Sequence, residues 1–285
     1  MIRVYLFMIR VNPSHMLTFL HTFHPQPILF TAGPFHIYWY GLIVVTGIIA
    51  AILVAVRLGK YYDYSSDLIF DLSFWLIVGG LLGARLYDIL LELPYYIDQP
   101  LAVFKVWQGG LAIHGAILGG LISLYLFSKK YKHNFWLLSS LVVPGLALAL
   151  SIGRWGNYFN QEIFGLPTSL PWSIPIDLAH RPDAYINFEY FHPTFLYESI
   201  GSFIIFVVLL LMHRYFIRSK ATSYKLSAIS FLFLYSLLRF SLEFIRLDRT
   251  PVVFGLRWPQ WISLLIILVS IGLLMRERGS KGLAG

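Results

Sequence analysis

Seven stretches of this chain are apolar for long enough to cross a lipid bilayer, and no other feature restricts its fold so severely. They cover 36–58, 67–91, 110–128, 136–158, 195–212, 226–245 and 260–275. A hydrocarbon core of about 30 Å takes about 17 to 25 helical residues to cross, each rising about 1.5 Å. No water reaches that core to satisfy exposed amides, so such runs must be helical. The spacing predicts an all-α polytopic membrane protein with seven transmembrane helices. Composition agrees: 58% of residues are hydrophobic and 13% charged, about half the charged fraction of a soluble domain. An ordinary soluble enzyme is excluded, because that surface would leave large apolar patches in water. The chain has no cysteine, which removes disulfides, thiolate nucleophiles, iron–sulfur clusters and cysteine-ligated zinc.

The net charge of +8 invites a nucleic-acid reading, and the placement of the 22 Lys and Arg residues decides against it. One set of loops carries twelve of them, in clusters such as Lys129, Lys130 and Lys132, or Arg214, Arg218, Lys220 and Lys225. The opposite set carries seven, and Arg85, Arg154 and Arg239 fall within spans. Short cytoplasmic loops retain Lys and Arg, so the N-terminus is expected outside and the C-terminus inside. The clusters then serve as orientation signals and anchors for anionic headgroups. The expected organisation is an outer leader over 1–35, a transmembrane domain over 36–275 and a cytoplasmic tail over 276–285. A small periplasmic cap over 159–194, rich in Pro, Trp and Asp, lies between the fourth and fifth spans. Loop 92–109 holds Tyr95, Tyr96 and Trp107, suited to an interfacial aromatic belt. In the leader, Met8 and Met16 are alternative initiators, and Met16 is expected to be the start.

Ionisable groups within spans cost about 2.5 to 3.5 kcal/mol each on insertion, so they face partners or polar cavities. Near the outer end of the fourth span, residues 153–165 read Gly-Arg-Trp-Gly-Asn-Tyr-Phe-Asn-Gln-Glu-Ile-Phe-Gly. If the helix persists, Arg154 and Asn157 share a face, and Gly153 and Gly156 admit a close neighbour. The plain alternative is a helix end with an interfacial Arg and a capping Asn. At the outer end of the sixth span, Arg239, Glu243 and Arg246 are spaced by 4 and 3, which sets a carboxylate between two guanidiniums on one stripe. That stripe is either a salt-bridged helix end or a pair with one arginine free for a phosphate. His114, flanked by Gly109, Gly110 and Gly115, is either a packing residue or a proton acceptor, the role for which imidazole is the natural side chain. Tyr40 is either a belt residue or a hydrogen-bond donor. Arg85 is expected to snorkel outward or to join the same cavity. All of these lie toward one leaflet, an arrangement suited to an anionic lipid headgroup and to a reaction that builds charge on a phosphate.

The same residues carry a resemblance. Residues 153–165, together with Trp39-Tyr40-Gly41, Gly83-Ala84-Arg85, Gly109-Gly110-Leu111, His114-Gly115, His192-Pro193, Leu196-Tyr197-Glu198 and the Arg239 to Arg246 stripe, are similar to the motifs of bacterial prolipoprotein diacylglyceryl transferases. The likeness runs from about Gly33 to Leu274, with Ala116 where the family commonly has a second glycine and Phe195 where it often has Gln. It implies an inner-membrane enzyme that moves the diacylglyceryl group of phosphatidylglycerol to the lipobox cysteine of a preprolipoprotein, forming a thioether and releasing glycerol phosphate. Carried over by motif position, it implies catalytic roles for His114, Arg239 and Tyr40. Arg154, Asn157, Asn160, Glu162, Gly165, Glu243 and Arg246 would bind phosphatidylglycerol, with no metal or organic cofactor. His114 is expected to take the thiol proton, because a guanidinium holds its proton too tightly to be a good base at neutral pH. The rival reading is a transporter or flippase of anionic lipids. It requires a polar path to both faces, whereas the inner halves of the spans are nearly uncharged.

Overall fold

The computed structural model describes residues 19–33, 35–219, 224–248 and 250–282. Met8, Met16 and the choice between them lie outside those residues, as do Arg3, Arg10, Lys220 and Arg249. A hairpin of β1 (Ile28–Ala32) and β2 (Phe35–Tyr38) leads directly into α1 (Trp39–Lys60). Next come α2 (Ser66–Leu91), the short α3 (Leu93–Asp98), α4 (Ile113–Lys130) and α5 (Phe135–Phe159). Strands β3 (Ile174–Pro175) and β4 (Tyr190–Phe191) precede α6 (Thr194–Ser219) and α7 (Tyr224–Leu242). The chain ends with β5 (Val252–Val253), β6 (Leu256–Arg257) and α8 (Trp258–Gly282). Helix starts have visible causes: Ser65 accepts from the Leu68 amide at 3.2 Å, and Asn134 accepts from Trp136 and Leu137 at 2.9 and 3.1 Å, satisfying orphan N–H groups.

Six of these helices, α1, α2, α5, α6, α7 and Trp258–Glu277 of α8, are long and apolar enough to cross a membrane. The chain is thus an all-α polytopic membrane protein. A helix also stands at the remaining expected span, α4, but it has 18 residues, and its glycines, His114, Lys129 and Lys130 leave it less apolar than the other six.

The described residues form two units. The second comprises Ile48–Ala149, Ile204–Phe233 and the chain from Ser270. Its α2 and α4 meet through two facing small-residue ladders, Gly79 and Gly83 on one, Gly115 and Gly119 on the other. A Cβ at Gly83 would lie 2.8 Å from the Gly119 Cα and closer still to the Gly115 carbonyl. Lipid tails are as apolar as Leu, so helices in a bilayer associate by close backbone packing, which only small residues permit. At Gly80 the approach is looser, since a Cβ there would meet the Ala116 carbonyl at 3.6 Å, an ordinary contact. Gly83→Leu is expected to lower the melting temperature in detergent by about 5 °C or more. Gly120→Leu, at a glycine with nothing within 4 Å, is expected to leave it within about 1 °C; equal melting of the two variants would remove the ladder's role. His213 is buried among the helices of this unit and satisfied there, bonding the Tyr62 hydroxyl at 2.7 Å and the Ser140 carbonyl at 2.9 Å.

The first unit comprises residues through Gly47, Leu150–Phe203 and Leu234–Val269. Its cap is ordered around Leu20, Tyr158, Phe164, Ile174, Ile176, Phe191 and Phe195. β3 and β4 pair antiparallel across it, Ile174 opposite Phe191. Phe195 stacks on Tyr158 at 4.7 Å, so the position where the family often has Gln serves packing. The segment before β1 is pinned to this cap. Gln161 donates to Asp177 at 2.6 Å and to the Pro25 carbonyl at 3.0 Å, and His24 stands 2.8 Å from Asp177. The Gln161 hydrogen bond, then His24, holds the Asp177 carboxyl below its ordinary value. A depressed carboxyl contributes stability above its unfolded pKa of about 3.9 and loses it as pH falls through the folded value. Asp177→Asn is therefore expected to melt below the parent at neutral pH, with the difference closing below about pH 4; a melting series against pH measures it, and a constant difference refutes the link.

Candidate active site

Helix α5 persists through Phe159, so Arg154 and Asn157 do share a face, and Arg154 Nη1 donates to Asn157 Oδ1 at 3.2 Å. Asn157 is buried and donates in turn to Glu162 at 2.8 Å, with Asn160 donating to the same oxygen at 3.3 Å. The chain turns back sharply here, since Gln161 and Ile163 have positive φ of 49° and 56°, a conformation that costs on the order of 1–3 kcal/mol for such residues. Gly156 backs onto the Tyr40 ring, where a Cβ would stand 2.7 Å from Cδ2. Gly153 faces open space.

Gly165 then pairs with Arg246 as an antiparallel bridge, flanked by Leu166 N–H to the Ile245 carbonyl at 2.8 Å and Gly165 N–H to the His192 carbonyl at 2.9 Å. A Cβ on Gly165 would meet the Ile245 carbonyl at 2.7 Å, which explains the glycine. Glu243 does stand between two guanidiniums, 3.3 Å from Arg239 and 3.7 Å from Arg246, but the expectation that one helix carries all three is corrected here. α7 ends at Leu242, and Arg246 reaches the site from the bridged segment. The reason is the pairing with Gly165, which a single-helix spacing argument does not contain.

At the centre stands Glu198 of α6, with 2% of its side chain exposed. One carboxylate oxygen accepts Arg154 Nη2 at 2.6 Å and the Tyr235 hydroxyl at 3.0 Å. The other accepts Arg239 Nη1 at 3.0 Å, with Arg246 at 3.8 Å. Arg239 Nη2 also donates to buried Glu243 at 3.3 Å. Arg246 pairs with Asp248. Arg257 binds the Glu243 and Arg246 carbonyls at 3.1 and 2.7 Å and the Asp248 carbonyl. Four guanidiniums thus face Glu198, Glu243 and Asp248. The expectation that Arg239 or Arg246 stands free of a carboxylate is not met, because Glu198 arrives from a helix about forty residues earlier in the chain. Exposure is graded: Arg246 shows 6% of its side chain, Arg154 and Arg239 19% each. Those last two are held side by side by the anion between them and remain partly exposed, and a pair of guanidiniums so placed suits the charge of a phosphate.

Tyr40 is in the first unit and 41% exposed. His114 and Arg85 are in the second. His114 opens α4, and its ring lies 6.0 Å from that of Tyr87. Arg85 does not snorkel. It is buried, and its guanidinium donates to the carbonyls of Val103 at 3.0 Å, Gly109 at 2.8 Å, Gly110 at 2.7 Å, and Ala102. Arg85 therefore staples the loop that leads into His114. Gly109 and Gly110 adopt φ of 96° and 73°, which only glycine takes without strain, and so turn their carbonyls toward it.

A family profile described as prolipoprotein diacylglyceryl transferase matches residues 27–276. The chain belongs to that family. Among similar proteins named phosphatidylglycerol–prolipoprotein diacylglyceryl transferase, one from a Nostoc species is 42% identical over 252 residues, covering 87% of each chain. One from a Synechocystis species is 39% identical over 247 residues, covering 86% of this chain and 87% of its own. Another, from Halalkalibacterium halodurans, is 39% identical over 256 residues, covering 88% and 86%. In this diacylglyceryl transferase family member, four residues absent from the sequence-derived site belong to the network: Glu198, Tyr235, Asp248 and Arg257. Glu198 carried a signal, since an unpaired carboxylate within a span is costly, and it lies in the Leu196-Tyr197-Glu198 motif. Tyr235 and Arg257 carried none.

Proposed function

We propose that this protein transfers the diacylglyceryl group of phosphatidylglycerol to the lipobox cysteine thiol of a preprolipoprotein, the first step of bacterial lipoprotein maturation. Family membership over nearly the whole chain supports it, and the observation that carries the chemistry is the pair Arg154 and Arg239 held together on Glu198 while each keeps 19% of its side chain exposed. A thiol with pKa about 8.5 is mostly protonated at neutral pH and needs a base. His114 accepts that proton. The sulfur attacks the glyceryl carbon bonded to the phosphate oxygen, a carbon–sulfur bond forms, the carbon–oxygen bond breaks, and glycerol phosphate leaves with the bonding pair. Arg154 and Arg239 neutralise the charge that develops on the phosphate. Asn157, Asn160, Glu162, Glu243 and Arg246 hold those two in place, Gly165 permits the bridge to Arg246, and Tyr40 borders the lipid headgroup. No metal or organic cofactor enters any step.

In this reading α4 is a seventh span, the N-terminus and cap lie in the periplasm, and residues 276–285 form a cytoplasmic tail. Residues 36–275 are the catalytic domain, embedded in the inner membrane with its site toward the periplasmic leaflet. The loop charges support the orientation. Purified protein in phosphatidylglycerol vesicles with a lipobox peptide is expected to raise the peptide mass by one diacylglyceryl unit and release glycerol phosphate. Lipid redistribution between leaflets with no peptide mass gain would overturn the reading in favour of transport.

A further inference from the structure

The β5–β6 hairpin plays no part in the chemistry above, yet it is built unusually. Its tip, Phe254, is 92% exposed and has φ of +48°, followed by Gly255 at +78°. A glycine adopts that conformation freely, whereas a bulky side chain does so at a cost in backbone strain. Val252 and Val253 beside it are 64% and 37% exposed, and Trp258 just beyond is 53% exposed. In water this is a strained turn displaying an aromatic ring for no folding benefit. The finger is also held rigidly. Trp261 Nε1 donates to the Val253 carbonyl at 2.9 Å, the Trp258 amide to the Pro251 carbonyl at 2.9 Å, and Arg257 to Thr250 at 2.8 Å. Arg257 is the same residue that binds the Glu243 and Arg246 carbonyls.

Trp258 starts α8, one of the six helices long and apolar enough to cross a membrane, so the hairpin is continuous with a helix suited to lipid. Strands of two residues lift its tip about 7 Å beyond that point, and each headgroup zone is about 5 to 8 Å deep. The tip therefore remains within the interface, where aromatic side chains are favoured. We propose that the Val252–Phe254 finger inserts into the lipid leaflet at which α8 begins, and that through Arg257 it fixes the depth of the Glu243 and Arg246 carbonyls against the headgroup plane. This inference rests on the membrane-spanning reading of α8 and not on the transferase reading.

The absence of native cysteine makes the test direct. Phe254→Cys, Val252→Cys and, on the exposed face of the cap, Ala184→Cys are each nitroxide-labelled in the full chain and reconstituted in phosphatidylcholine–phosphatidylglycerol vesicles. Collisions with oxygen and with a water-soluble nickel chelate are then compared. Labels at 254 and 252 are expected to meet oxygen several-fold more readily, relative to nickel, than the label at 184, with or without lipobox peptide. Nickel access at 254 and 252 equal to that at 184 overturns the proposal. Shielding that appears only when peptide is added overturns it too, assigning the finger to the protein substrate.

Discussion

Glu198→Gln is expected to lower kcat about a hundredfold while KM for phosphatidylglycerol stays level or falls. The carboxylate is the shared anion of Arg154, Arg239 and, at longer range, Arg246. Removing one member of a buried charge network costs about 3–5 kcal/mol, because its partners stay behind uncompensated. The amide keeps the volume but not the charge, so guanidiniums now repelling one another move off their present positions. A misplacement of about 1 Å costs on the order of a hundredfold in rate. The site meanwhile becomes more positive, so ground-state attraction for an anionic headgroup is not lost. Tyr235→Phe removes one hydrogen bond from the same carboxylate and no charge; a loss of about tenfold is expected. Steady-state kinetics on vesicles with a lipobox peptide, alongside melting temperatures, separate these outcomes. A raised KM with unchanged kcat would show that Glu198 is remote from the transition state.

The second large effect divides the roles of His114 and Arg239. His114→Gln is expected to reduce kcat/KM by about 10²- to 10⁴-fold at neutral pH, the usual contribution of a general base. The loss is expected to shrink as pH rises past about 8.5, where the substrate thiol ionises unaided. Arg239→Lys keeps the charge but not the planar fork that reaches Glu198 and Glu243 together. It is expected to lose about a hundredfold with no alkaline recovery. Substantial neutral-pH activity in His114→Gln would return that histidine to a packing role beside Tyr87.

Local properties of the chain were legible without a structure. Helix placement follows from the solvent: a long apolar run in lipid has one way to satisfy its backbone, so six spans and the helix at α4 stand within a few residues of where hydropathy puts them, although residues 36–38 of the first expected run form β2 and 243–245 of the sixth lie beyond α7. The Arg154–Asn157 pair was also legible, because a helix sets the distance between i and i+3 by itself. The glycines of α2 and α4 show where two backbones approach, though not which helix answers which.

The tertiary structure decided what depends on residues distant in sequence. Glu198 lies 44 positions from Arg154 and 41 from Arg239, yet it joins those two arginines, which no spacing argument links, into one compensated network. Arg246 leaves the helical stripe its spacing suggests because Gly165 captures its backbone. Arg85 gives its guanidinium to four loop carbonyls, and although Gly109 and Gly110 stand out in the sequence, nothing there says that an arginine of α2 binds them. Hydrophobicity and helical period act through nearest neighbours and the surrounding medium, so composition and order specify them. The partner of a buried charge is whichever group the fold delivers within about 3 Å, and only the folded chain determines that.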